Sequence, residues 1–580
     1  MTDRAPHWPQ TVGSEQFSLG ASLQIWTRRL LFALVGFLLL GPLIILLLTS
    51  VTPPGQLPLQ ASALTLENYL EIFTRRGTFT LLRNTVVYAG SSVILGMAVA
   101  IVIAWLTERT DLRGRVVVRI LMFSWMAVPP LVFGYGWILL TNPGNGALNA
   151  LARAVFGLSS APFTPYSAVA LIAISGLGLV PTCYVMISGL LRNMDPSLED
   201  AGHVIGASRL TSMRKITIPL MRPGLLSASI YLVMGMVQTF DLPLILGTTA
   251  QYPVLSTRIF LLASPDGGLP NYGAASAFGV VLLVLALGLM WVYFRATAMA
   301  ERFRIVSGKS FRPKRSKLGR LSFAAYAFVC IYFLIMLLPL LILLWTSLFP
   351  FYRVPALAEL ATANLSAYAR VLYEPTVQRA LVNTALLVGI SSTSVMFLSC
   401  LISWFSVRTA SASSKILDVM AFLPTAIPPI VMAIAMLLLF MRSPIYGTVW
   451  VLIIGHVTIF LPFGTRTMNG ALLQIHKELE DAATICGAAW LVGLRRIILP
   501  LVWPHALNAW LWVFAHSARD LTFPLMLMTS NNVVLASTLY LTWDYPDQTG
   551  AAAIAVIMVG VLMLIVVPVQ LYSARRAGET

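Results

Sequence analysis

Charge is scarce in this sequence. Asp, Glu, Lys and Arg together supply 11% of its 580 residues, whereas hydrophobic residues supply 58% and mean hydropathy is +0.82. A soluble domain carries about 25% charged residues, so an ordinary water-exposed globule is excluded. Cysteine is nearly absent as well. Cys183, Cys330, Cys400 and Cys486 are scattered, without metal-ligand spacing or paired placement, and read as small apolar residues. The alternation of a transmembrane β-strand is missing too, which excludes a membrane barrel. The first thirty residues contain Pro6, Pro9 and Gly13 but no apolar core of a cleaved signal. The first apolar run is therefore expected to be an uncleaved anchor.

Long apolar runs are what the chain has in quantity. Runs of about 20 residues, sufficient to cross ~30 Å of hydrocarbon, recur throughout. They lie near 31–52, 83–106, 117–140, 166–190, 223–247 and 275–294, then near 321–348, 380–406, 416–441, 446–465, 502–527 and 550–573. The expected fold class is an all-α polytopic membrane protein with about 12 transmembrane helices. With the N-terminus inside, Lys and Arg concentrate in the inner segments, as the positive-inside rule requires. The densest basic run, 302–320, is expected to be a lipid-facing inner linker rather than a nucleic-acid site. The expected division is a cytoplasmic segment 1–30, a first transmembrane unit 31–297, a basic linker 298–320 and a second transmembrane unit 321–580.

The two halves repeat one another. Residues 198–224 read LEDAGHVIGASRLTSMRKITIPLMRPG, and 479–505 read LEDAATICGAAWLVGLRRIILPLVWPH, 281 positions later. Glu199, Asp200, Ala201, Gly206, Ala207, Ile216, Pro219, Leu220 and Pro223 recur without gaps as Glu480, Asp481, Ala482, Gly487, Ala488, Ile497, Pro500, Leu501 and Pro504. At an offset of 299, Leu66, Tyr69, Asn84–Thr85 and Pro129–Pro130 match Leu365, Tyr368, Asn383–Thr384 and Pro428–Pro429. The shorter offset places extra residues of the first half in the outer loop 141–166. An even number of spans separates the copies, so the two six-helix repeats are parallel. Within the repeated inner segment, Asp195–Pro196 predicts a helix start, and Glu199 and Asp200 sit near its positive end. Gly206 and Gly487 are expected to turn the chain behind that short helix. A helix–turn–helix tied to spans at both ends can pass force from a soluble partner. The alternative is an amphipathic loop resting on lipid.

The Glu-x-Ala, Gly and hydrophobic-Pro-Leu pattern resembles the EAA loop of binding-protein-dependent ABC-importer permeases. Both copies carry Glu-Asp-Ala where that pattern has Glu-Ala-Ala. The resemblance implies that the short helix docks in a cleft of an ATPase subunit, that two such subunits bind the two loops, and that an extracytoplasmic binding protein delivers the solute. Ala104–Trp105, Glu108–Arg109–Thr110–Asp111 and Val128–Pro129–Pro130 resemble permeases of iron(III) importers, as does Arg519–Asp520–Leu521. Importers of thiamine, polyamines and phosphonates have related permeases. No cofactor, resident metal or nucleic-acid partner is implied, and ATP hydrolysis is expected on a separate subunit.

Two motifs point elsewhere. Residues 307–310 read Ser-Gly-Lys-Ser, but a phosphate-binding loop needs glycine at 303, where Phe303 stands. Residues 111–115, Asp-Leu-Arg-Gly-Arg, loosely resemble a motif of major-facilitator secondary transporters, yet 410–414 in the second half carry nothing similar. Charges inside spans are costly and carry a functional expectation. Asp241 in the fifth span and Arg519 and Asp520 in the eleventh are candidates for the translocation path or a gate, or for an interhelical ion pair. Neighbouring helical residues project about 100° apart, so Arg519 is expected to meet Asp241 across the two halves, leaving Asp520 on another polar group. The two Pro-Pro pairs should break or bend spans three and nine.

Overall fold

A computed structural model describes residues 11–56, 63–192, 204, 206, 208–265, 267–301, 317–409, 411–485, 490–545 and 547–576. Among them no strand occurs, and the chain is an all-α polytopic membrane protein. In the first half, α1 runs over Thr11–Ser50, α2 over Gly77–Arg109, α3 over Arg115–Trp125, α4 over Pro130–Thr141, α5 over Ala168–Arg192, α6 over Ile218–Val237, α7 over Leu255–Ala263 and α8 over Tyr272–Glu301. The second half repeats the order. Here α9 spans Ser322–Ser347, α10 Pro375–Arg408, α11 Ala412–Phe422, α12 Pro429–Phe440, α13 Val449–Leu473, α14 Glu478–Ile485, α15 Leu499–Arg519, α16 Leu535–Asp544 and α17 Gln548–Arg576.

Ten helices among the described residues are long and apolar enough to cross a bilayer, and two bent pairs bring the count to twelve. The bends are where the Pro-Pro pairs predict them. α3 and α4 meet at 100°, and residues 412–426 meet α12 at 105°. Proline disfavours helical backbone in the residue before it. Accordingly Pro129 (ψ 134°) and Pro428 (ψ 136°) are extended, and a new helix starts on the second proline of each pair.

The halves are interlocked rather than side by side. α1 packs on α12 of the second half, and α9 packs on α4 of the first, while α2 with α5 and α10 with α13 form the matching cores. At the α4–α9 crossing, Gly136 lies against the backbone of Pro339, and a Cβ there would come within 2.6 Å of the Pro339 Cβ. Backbone cannot move aside as a side chain can, so overpacking here should cost on the order of 1–3 kcal/mol. Gly136→Ala is expected to lower the thermal unfolding temperature of the purified protein in detergent. An unchanged melting curve would show that the crossing is not close-packed.

Both halves also carry a π-helical turn at matching positions, Met213–Thr217 and Leu494–Ile498, within the repeated segment. Glu108 ties helix ends together: its carboxylate accepts from Arg119 on α3 at 2.7 Å and from Arg192 on α5 at 3.2 Å. Asp111 accepts from the backbone N–H of Leu318 at 2.8 Å. The 111–115 stretch thus fastens the start of the second half. Cys183, Cys330 and Cys400 are free thiols, whereas Cys486 and residues 307–310 lie outside the described residues.

Candidate functional site

The charged residues of spans five and eleven sit at helix breaks, not inside continuous helices, and this corrects the expectation drawn from the apolar runs. A proline ring clashes with the carbonyl four residues earlier and removes the hydrogen bond to it. Pro243 therefore acts on residue 239, and Pro524 on residue 520. α6 ends at Val237, and Asp241 starts the next short turn. α15 ends at Arg519, and Asp520 is extended with ψ 131°. Freed polar groups find new partners. The carbonyl of Thr239 accepts from the Ser256 hydroxyl at 2.7 Å, and Asp520 Oδ2 accepts from the N–H of Phe523 at 3.1 Å.

Because Asp520 has left the helix, the 100° argument does not govern the pair. Arg519 does reach across the interface between halves, but its Nη1 donates to the carbonyl of Met126, at the break between α3 and α4. The charged groups of Arg519 and Asp241 do not come within the 4.0 Å of an ion pair, although the two charges attract. The lost helical geometry is the reason. Asp520 turns instead to His456 on α13, whose Nε2 lies 3.1 Å from Oδ2, while its Nδ1 lies 2.5 Å from the Ser517 hydroxyl. Ser517 continues to Ser391 at 3.1 Å, which gives a buried polar chain.

The first half holds a neutral counterpart of that chain. Tyr88 donates to Ser175 at 3.0 Å and receives a bond from Thr239 at 3.2 Å. At the offset of 281, Ser175 corresponds to His456 and Thr239 to Asp520. Sequence reasoning missed His456, Tyr88 and Ser175. A lone histidine in the apolar run 446–465 was the available signal, because ionisable residues within spans are rarely incidental.

Asp241, Arg519 and Asp520 do share one place. They line a cavity of about 370 Å³ between the halves, together with Tyr88, Gln238 and His516. Prolines 130 and 429 and the ring of Phe460 also face it. His516 stacks on Trp512 with ring centres 3.6 Å apart, and Trp512 stacks in turn on Phe463 at 3.7 Å. Among the described residues, no group of three His, Cys, Asp or Glu is placed to hold a metal ion.

Of the repeated inner loops, Glu199, Asp200, Ala201 and Gly487 lie outside the described residues. Gly206 takes φ +88°, the left-handed conformation that a turn behind a helix requires. In the second copy Glu480, Asp481 and Ala482 lie on α14. Asp481 and Ala482 are exposed, whereas Glu480 turns inward to Arg408 at 2.5 Å and to Trp404 at 3.1 Å. Arg408 also donates to the carbonyl of Ile475 at 2.9 Å.

Two matched blocks, each carrying one inner loop and one proline-broken span, are the architecture that the family comparison meets. Residues 92–297 and 397–579 both match the family described as binding-protein-dependent transport system inner membrane component. The chain belongs to this family. It is a fused double permease of an ABC importer. The ferric transport system permease protein FbpB of Actinobacillus pleuropneumoniae is 25% identical over 502 residues, covering 84% of this chain and 69% of that one. The Fe(3+)-transport system permease protein FbpB 2 of Haemophilus influenzae is 21% identical over 499 residues, covering 85% and 90%. The trehalose/maltose transport system permease protein MalF of Thermococcus litoralis is 30% identical over 237 residues, covering 40% of this chain and 78% of that one. Membership in a binding-protein-dependent family displaces the secondary-carrier alternative.

Proposed function

We propose that this permease passes iron(III) inward across the cytoplasmic membrane of a prokaryote, with both termini cytoplasmic. Two copies of an ATPase subunit engage the inner loops at 199–206 and 480–487. An extracytoplasmic binding protein delivers the solute to the outer face. ATP is hydrolysed on the separate subunit, and Asp241, Arg519 and Asp520 line the path. The observation that carries the iron reading is the likeness to ferric permeases over more than four-fifths of the chain. Thiamine, polyamine and phosphonate importers remain the alternatives within the same family.

The test is uptake of labelled iron(III) into proteoliposomes that hold the complete importer. Uptake is expected only with ATP inside the ATPase-accessible compartment, and it should stop on ATP removal while an imposed proton gradient is maintained. Iron uptake driven by a proton or sodium gradient through the purified chain alone would overturn the ATP-driven reading. ATP-dependent uptake of thiamine or a phosphonate, without iron, would overturn only the substrate.

A further inference from the structure

The central cavity contains a cation that makes no direct ion pair among the described residues, although the Asp241 and Asp520 carboxylates lie near enough to attract it. Arg519 lies where the two halves meet, and no carboxylate comes within the 4.0 Å of an ion pair among the described residues. The carboxylate beside it in sequence, Asp520, is turned to His456 and to the N–H of Phe523. Asp241 also faces the cavity and likewise has no ion pair within 4.0 Å among the described residues. Charged side chains at membrane depth are costly and ordinarily pair with one another. Here an arginine and an aspartate share a cavity and stay apart.

The arginine is not needed to build the break that holds it. In the first half the matching position is Gln238, one residue past the end of α6, and the chain breaks there too. What the charge adds is chemistry. A guanidinium presents five donors in a planar fork suited to oxyanions. One donor bond runs to the Met126 carbonyl, which holds the fork at the interface between halves.

We infer that the substrate occupies this cavity together with an oxyanion, which Arg519 binds while Asp241 faces the cationic part. The inference rests on the importer reading above and narrows it. A bare cation would gain from Asp241 but be repelled by Arg519. A polyamine or thiamine cation would meet the same repulsion. A small complex of a metal cation with phosphate or a carboxylate satisfies both walls and fits about 370 Å³.

The experiment presents labelled iron(III) with labelled inorganic phosphate, and in a parallel arm with labelled citrate, to proteoliposomes holding the complete importer. One oxyanion is expected to accumulate with the iron in an ATP-dependent manner. Arg519→Gln should lower uptake of both labels about tenfold or more, the scale of a lost charge-assisted hydrogen bond. Arg519→Lys should retain more than Arg519→Gln, because it keeps the charge without the fork. Glutamine is the residue at the matching place in the first half, so a folded Arg519→Gln protein is expected by size exclusion. If that variant does not assemble, the label ratio in the wild type still decides. Iron accumulating with neither phosphate nor citrate would overturn this inference and leave the iron reading. An oxyanion accumulating without iron would overturn the iron reading and leave the role of Arg519. Accumulation of neither would overturn both.

Discussion

Valine at both Gly206 and Gly487 is expected to abolish uptake while the ATPase subunits continue to hydrolyse ATP. Gly206 adopts φ +88°, and among the described residues nothing lies within 4 Å of the position a Cβ would take. Steric room is therefore not the issue, and the cost is in the backbone. Left-handed conformation is disfavoured for any residue with a Cβ by roughly 1–2 kcal/mol, and more for a β-branched one. Such strain persists only where surrounding structure enforces it, and Gly206 is exposed, so the chain should relax and the repeated segment should change direction. Gly487 occupies the same place in the second copy. Single replacements should reduce the ratio of solute moved to ATP hydrolysed, and the double replacement should bring it near zero. The measurement is uptake and ATPase activity on the same reconstituted preparation, at matched protein amount. Full uptake by the double variant would remove these loops from the coupling mechanism.

Much of the architecture is legible in the sequence where local chemistry dictates it. The Pro-Pro pairs break spans three and nine because proline constrains its predecessor whatever surrounds it. Gly206 is left-handed where the repeated segment is expected to turn. Other features depend on contacts between distant segments. Nothing local indicates that α1 packs on α12 of the opposite half, or that Asp520 meets His456, 64 residues away. The breaks at 239 and 520 stand between these cases. Pro243 and Pro524 signal them, but apolar runs that continue through the prolines present as unbroken spans. Reading the runs first hides the breaks, and the direction in which Arg519 and Asp520 point is misjudged as a result.

Arg408→Gln is expected to impair transport as severely as a change in the inner loop itself, although Arg408 is at the end of a span. Trp404 and Arg408 lie four residues apart on one face of α10 and together hold the Glu480 carboxylate. Both ions of the Arg408–Glu480 pair are largely withdrawn from water, with 10% and 15% of their side chains exposed. The helix α14 is thereby fixed to a transmembrane helix, and its exposed face is left to Asp481, Ala482 and Ile485. The first half supplies the same elements, Trp105 and Arg109 at the offset of 299. Removing only the arginine takes this ion pair from a largely buried carboxylate, which costs more than removing both ions. A double-mutant cycle on Arg408→Gln and Glu480→Gln should therefore give a coupling energy of roughly 1–3 kcal/mol in thermal stability. The double variant should recover part of the uptake lost in Arg408→Gln. If Glu480 acts only by touching the ATPase, Arg408→Gln will transport normally and the cycle will close at zero. That result would separate the inner loop from α10 and leave α15 as the route by which the loop moves the cavity.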